Sequence, residues 1–162
     1  MMKSVKLTAQ YINLIIQLEN RMHPGNLRLS RNDWVNNFQQ MEKSKCNFSW
    51  GLFQGQELVG YLIAHLGSTY QEDTEGDAVI VDDVVITPHY KQHLFTLIKS
   101  MVEEIDKRIN GCPIESLSTP ESASMLEKHN DLLGKIGYEI VHTYPLIHEN
   151  KNFVWMRFEP KG

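Results

Sequence analysis

From Ala78 to Met101 the chain reads AVIVDDVVITPHYKQHLFTLIKSM, and no other stretch restricts the fold as much. Its first nine residues, Ala78–Ile86, are almost all aliphatic and β-branched, as a strand covered on both faces requires, with Asp82-Asp83 the one interruption. Pro88 ends the strand pattern. From Leu94 the apolar residues fall at Leu94, Leu97, Ile98, Met101, Val102, Ile105 and Ile109, while Lys99, Glu103, Lys107 and Arg108 lie off that stripe. This spacing predicts a helix with one buried face, and Asn110-Gly111 supplies left-handed residues to close it. A strand that feeds a helix through so short a loop leaves the helix N-terminus with outward-pointing N–H groups and a dipole that favours negative charge. Such a junction suits a phosphate or pyrophosphate.

The remaining elements follow from local patterns. Val5–Leu7 reads as a short opening strand, and Thr8 as the cap of a helix carrying Tyr11, Leu14, Ile15, Leu18 and Met22 at helical spacing. That helix must stop by His23-Pro24-Gly25, because proline disfavours helical backbone in the residue before it. Ser30 starts a second helix, with Asp33 in its first turn and Trp34, Phe38 and Met41 on one face. Phe48, Trp50 and Leu52 alternate as in a strand; Gln54–Glu57 turns, and Leu58–Leu66 returns as a hairpin partner. Gly67–Asp77 is polar, acidic and reads as a loop. After the central helix come a strand at Ile114–Thr119 and a helix from Glu121, whose Met125, Leu126, His129, Leu132, Leu133 and Ile136 share a face. Strands at Tyr138–Tyr144 and Phe153–Phe158 follow, parted by a polar loop at Pro145–Asn152. The order is β-α-α-β-β-β-α-β-α-β-β, about seven strands and four helices in one α/β domain over residues 1–162.

Composition excludes several classes of function. With 162 residues and 41% hydrophobic content the chain can bury a core without metals or disulfides. No stretch reaches the roughly 18 to 20 apolar residues of a membrane span, and the opening MMKSVKLTAQ lacks the apolar core of a secretory signal. A net charge of −4 argues against nucleic acid or an anionic membrane as the main partner. Cys46 and Cys112 stand far apart and alone, which fits a reducing cytoplasm and offers no zinc or CxxC spacing. His89 and His93 flank Lys91 without a third defined ligand, so no metal site is expected there.

Three segments, in order, resemble one family. Gln56-Glu57-Leu58-Val59-Gly60-Tyr61 is similar to a G-x-x-V-G hairpin strand, and Ile86-Thr87-Pro88-His89-Tyr90-Lys91 to a V-x-P-x-Y-R passage from the fourth strand. Gly134-Lys135-Ile136-Gly137-Tyr138-Glu139 is similar to an e-K-x-G-F-e link near the C-terminus. Together they resemble the GNAT superfamily of acyl-CoA-dependent N-acyltransferases over nearly the whole chain. The resemblance implies a mixed, mostly antiparallel central sheet with flanking helices and acetyl-CoA, or another acyl-CoA, as co-substrate. It also implies a pyrophosphate held at the start of the helix after the fourth strand, by Lys91, Gln92, His93, Leu94, Phe95 and Thr96. The family's motif there is R/Q-x-x-G-x-G/A, and its marked positions fall on Lys91, Leu94 and Thr96. Lysine keeps a positive charge; leucine replaces the glycine that lets phosphate approach the backbone. The amides of residues 92–96 remain.

Acyl transfer to an amine requires a positioned thioester, a donor for the developing oxyanion and a base for the ammonium proton. The resemblance places the oxyanion donor on the main chain near Val85 and Ile86. Asp82 and Asp83, adjacent in a strand, project to opposite faces, and either one is the candidate base. The family's usual general acid, a tyrosine before the K-x-G-F link, is Leu133 here; His129, a turn earlier on the same stripe, is the substitute, its plainer alternative being a hydrogen-bonded histidine among leucines. His23–Leu29 borders the acceptor site by the same resemblance, and Arg28 and Arg31 are candidates to meet an acidic group on the acceptor. The expected activity is transfer of an acetyl or related acyl group to a small-molecule or peptide amine. The alternatives are a catalytically inactive binding or regulatory protein on the same scaffold and a member taking a longer acyl chain. Both faces of Phe153–Phe158 carry large apolar groups, which a homodimer partner or burial within the chain's own domain would explain.

Overall fold

A computed structural model of the chain describes residues 1–23, 29–68 and 76–162. Among the described residues, seven strands and five α-helices run in the order β1 (Met2–Lys6), α1 (Ile12–Met22), α2 (Arg31–Lys43), β2 (Trp50–Gln54), β3 (Glu57–Ser68), β4 (Asp77–Ile86), α3 (Leu94–Ile109), β5 (Ile114–Ser118), α4 (Pro120–Lys128), α5 (Asn130–Ile136), β6 (Tyr138–His148) and β7 (Lys151–Pro160). The strands form one mixed sheet in the order β1-β2-β3-β4-β5-β7-β6. β4 and β5 pair in parallel, from Val79 opposite Ile114 to Val81 opposite Ser116, whereas β1–β2, β2–β3, β5–β7 and β6–β7 are antiparallel. No helix among the described residues is long and apolar enough to cross a membrane.

Contacts divide the chain into two compact units, Met1–His65 with Asp83–Met101 and Leu66–Asp82 with Val102–Gly162. The first buries Leu7, Ile15, Leu18, Trp34, Phe38 and Val85 in one cluster, so the apolar stripes of α1 and α2 meet one face of the sheet. Ser30 caps α2 as its sequence predicts, accepting the Asp33 N–H at 3.1 Å. At Gly60 a side chain would clash: a Cβ there would lie 2.9 Å from Ile86 Cγ1 and 3.3 Å from the Val85 carbonyl oxygen. The second unit holds a buried cross-strand ion pair, Arg157 Nη1 to Glu115 Oε2 at 2.6 Å, and closes α3 with Asn110 and Gly111 at φ 55° and 84°.

Several sequence expectations need correction. Thr8 makes no side-chain cap; a 3-10 turn at Ala9–Tyr11 precedes α1, and the Ala9 N–H donates instead to Glu42 Oε1 at 2.9 Å. The single helix from Glu121 is two, broken at His129 (φ −108°, ψ 32°), where the His-Asn-Asp run offers the backbone turn-forming side chains in place of helix formers. The polar Pro145–Asn152 segment is strand rather than loop. β6 runs on to His148 and turns through Glu149 and Asn150, both at positive φ (50° and 64°), in a two-residue hairpin. Pro145 is tolerated because β6 is an edge strand. β7 lies inside the sheet between β5 and β6, and Trp155 and Met156, on its opposite faces, are 3% and 0% exposed within the single chain. The strand therefore needs no partner copy to cover those groups. Of the Gly67–Asp77 loop, residues 69–75 lie outside the described residues.

Candidate active site

β4 separates the two aspartates as alternation demands. Asp82 is exposed. Asp83 is half-buried on the same side as Val85, which packs in the cluster formed with α1 and α2. There Asp83 meets Tyr61 of β3, whose hydroxyl lies 3.0 Å from Asp83 Oδ2 and 3.3 Å from Glu19 Oε2 of α1. Tyr61 and Glu19 are both wholly buried, and the ring of Trp34 meets that of Tyr61 edge-on at 6.3 Å. Burial first, then the charges of Asp83 and Glu19, push the Tyr61 phenol far above its ordinary range. The phenol therefore stays protonated and acts as a donor to carboxylates.

Glu19 was missed by the sequence reading, although a signal exists. It stands at i+7 from Ile12 and i+4 from Ile15, on the buried stripe of α1, where an acid costs free energy unless something polar meets it.

The junction after β4 is tighter than its sequence suggests. Pro88–His93 forms a 3-10 segment kinked at Tyr90 (φ −116°, ψ 16°) before α3 begins at Leu94. The Thr87 N–H donates to the Val59 carbonyl at 3.0 Å and the Tyr90 N–H to Thr87 at 2.9 Å. The Leu94 N–H donates to the Lys91 carbonyl. Of the amides at 92–96 that the sequence left open for an anion, that of Leu94 is thus already bonded within the turn. Lys91, Gln92 and Thr96 are exposed, while His93, Leu94 and Phe95 are half-buried. The His89 and Tyr90 rings meet edge-on at 4.9 Å. The Thr87 hydroxyl is buried without a hydrogen-bond partner. Val85 is buried, Ile86 half-buried, and Val84 before them 41% exposed.

His129 sits apart from this arrangement in sequence and in kind. It is exposed, ends α4 and starts α5, so the reading of it as a half-buried histidine on a continuous stripe does not stand. Leu133, at the position of the absent tyrosine, is core, 2% exposed. Arg31 Nε donates to Asn13 Oδ1 at 3.2 Å; Arg28 and most of His23–Leu29 lie outside the described residues. Among the described residues, no three His, Cys, Asp or Glu side chains gather as a metal ion would need.

No family model matches the chain, and no curated protein matches its sequence. Solved structures do match in shape. A GNAT-family acetyltransferase from Streptococcus pneumoniae superposes with a TM-score of 0.70, covering 100% of both chains at 11% identity. The ribosomal-protein-S18-alanine N-acetyltransferase of Escherichia coli gives 0.65, covering 100% of this chain and 96% of that one at 13% identity. The chain has the GNAT fold. Aminoglycoside N-acetyltransferase AAC(6′)-Iy, in a complex with CoA, gives 0.61 over 82% of this chain and 86% of that one, at 14% identity. At such identities the likeness establishes the GNAT fold alone. The residues that would do chemistry on it must be argued from their own surroundings.

Proposed function

We propose that this chain is an acyl-CoA-dependent N-acyltransferase that moves an acetyl or related acyl group to a primary amine. The observation that carries the reading is Asp83. It is a half-buried carboxylate on the fourth strand of a GNAT fold, held by a buried tyrosine hydroxyl in the same compact unit as the turn before α3. Asp83 takes the proton of the incoming ammonium, directly or through water. The free amine attacks the thioester carbonyl, the main chain near Val85 and Ile86 donates to the oxyanion, and the thiolate leaves, the proton given up by the acylated nitrogen passing to it through solvent. No side chain is assigned to reprotonate the thiolate, since His129 stands exposed at a helix break. Lys91, with the N-terminus of α3, supplies positive charge for the pyrophosphate, and the His93 ring stands beside it in the turn. The solved neighbours are named for an alanine of a ribosomal protein and for aminoglycosides, two unlike amines, and nothing in the described residues selects between such classes.

The bonded Leu94 amide and the leucine in place of glycine favour a second reading, a protein of this fold that binds a ligand without turnover. Two measurements separate them. CoA at a hundred times its dissociation constant is expected to stabilise the protein by about 2.7 kcal/mol, read as a rise in melting temperature. Thiol release across a panel of amines is expected to be measurable and to fall by about 10²- to 10⁴-fold in Asp83→Asn. A melting shift without thiol release supports the second reading; no shift at millimolar CoA removes the first.

A further inference from the structure

Tyr61 has one hydroxyl proton and faces two carboxylates, and the base of the proposed reaction is one of them. We propose that Tyr61 is a positioning residue for Asp83: its hydroxyl holds Oδ2 and so fixes the carboxylate in the orientation that accepts the ammonium proton. This role rests on the acyl-transfer reading and adds to it a residue that no motif marks. The geometry supports it from three sides. The O–H sits at 3.0 Å from Asp83 and at 3.3 Å from Glu19, so the nearer oxygen takes the larger share of the proton. Glu19 is the second acceptor, on the buried side, so the hydroxyl lies between two carboxylates and its proton is directed at one or the other. The ring itself is wholly buried and braced by Trp34, so the donor is anchored independently of any ligand. A carboxylate reacts only from the rotamers that reach the ammonium, and each unproductive one lowers the fraction of enzyme ready to react.

The test is a double-mutant cycle in the full-length chain, with Tyr61→Phe and Asp83→Asn made singly and together. Tyr61→Phe alone is expected to lower kcat by up to about a hundredfold, the scale of a misplaced catalytic group, with KM for acyl-CoA and amine nearly unchanged. Added to Asp83→Asn, it is expected to cost nothing further in kcat. Equal losses in both backgrounds, or a loss that appears only in KM, overturn the positioning role while acyl transfer stands. Should Tyr61→Phe fail to fold, 3-fluorotyrosine incorporation keeps the hydroxyl and strengthens it as a donor. Its effect on kcat must then vanish when Asp83 is Asn, and persistence there overturns the role. A parent protein that releases no thiol with any amine removes the acyl-transfer reading itself, and this role with it.

Discussion

A tyrosine hydroxyl between two carboxylates has a titration behaviour that reports its surroundings directly. Burial and the charges of Asp83 and Glu19 both hold the Tyr61 proton on. In Asp83→Asn one of those charges is gone, so the phenol is expected to ionise at lower pH than in the parent, although still above an ordinary tyrosine because burial remains. Carbon NMR of ring-labelled tyrosine across the alkaline range checks this without any substrate. A parent Tyr61 that ionises within the ordinary tyrosine range contradicts its burial between the two carboxylates. Much of this site was readable from sequence only as alternatives. The Asp82-Asp83 pair announced that one carboxylate would face each way, but which way depends on the side of β4 that α1 and α2 cover, a matter of packing.

Among the elements, β3 and β4 show most clearly how local pattern meets tertiary constraint. Gly60 was legible as part of a hairpin motif, but its reason is the approach of β4, where Ile86 Cγ1 and the Val85 carbonyl occupy the space of a side chain. Gly60→Ala is expected to destabilise the fold by about 1 to 3 kcal/mol through overpacking, measured as a lower urea midpoint with an unchanged slope. An unaltered midpoint would mean that β3 and β4 part easily there. α2 was correctly read at its start because a serine cap is a local device: Ser30 needs only the N–H three residues on. α4 and α5 were read as one helix because the apolar spacing continues across His129 while the backbone does not. The end of β6 was read as loop because His148, Glu149 and Asn150 are polar. A hairpin reaching beyond the core needs no apolar alternation, and at an edge position even proline fits.

At the scale of the whole molecule, burial raises three acidic groups, and each weakens the fold in alkali. Burial raises the Cys112 thiol above its ordinary 9.0 and pushes the Tyr138 phenol from 10.0 up to about 12; Tyr61 lies higher still. Each group binds its proton more tightly in the folded chain than in the unfolded one. Their contribution to stability is therefore complete below the unfolded values and is lost as pH climbs through the folded ones. Stability is expected to begin falling near pH 9 and to drop more steeply from pH 10 to about 12. Urea midpoints measured at neutral pH, at pH 10 and near pH 12 follow this directly. Tyr138→Phe, which loses only the hydroxyl bonded at 2.7 Å to the Cys112 carbonyl, is expected to flatten part of that slope. A parent midpoint that holds constant across the range contradicts the burial of these groups.

The order of the strands, the cap of α2 and the close of α3 were determined by the amino-acid sequence itself. Each depends on residues within a turn or two of one another, where backbone sterics and side-chain spacing act without reference to the rest of the chain. Which aspartate lies half-buried, the company Asp83 keeps with Tyr61 and Glu19, and the commitment of the Leu94 amide were decided only by tertiary structure. A carboxylate 64 positions from its buried counterpart becomes its neighbour solely because α1 packs on the face of the sheet that holds Tyr61. No periodicity within either segment carries that information.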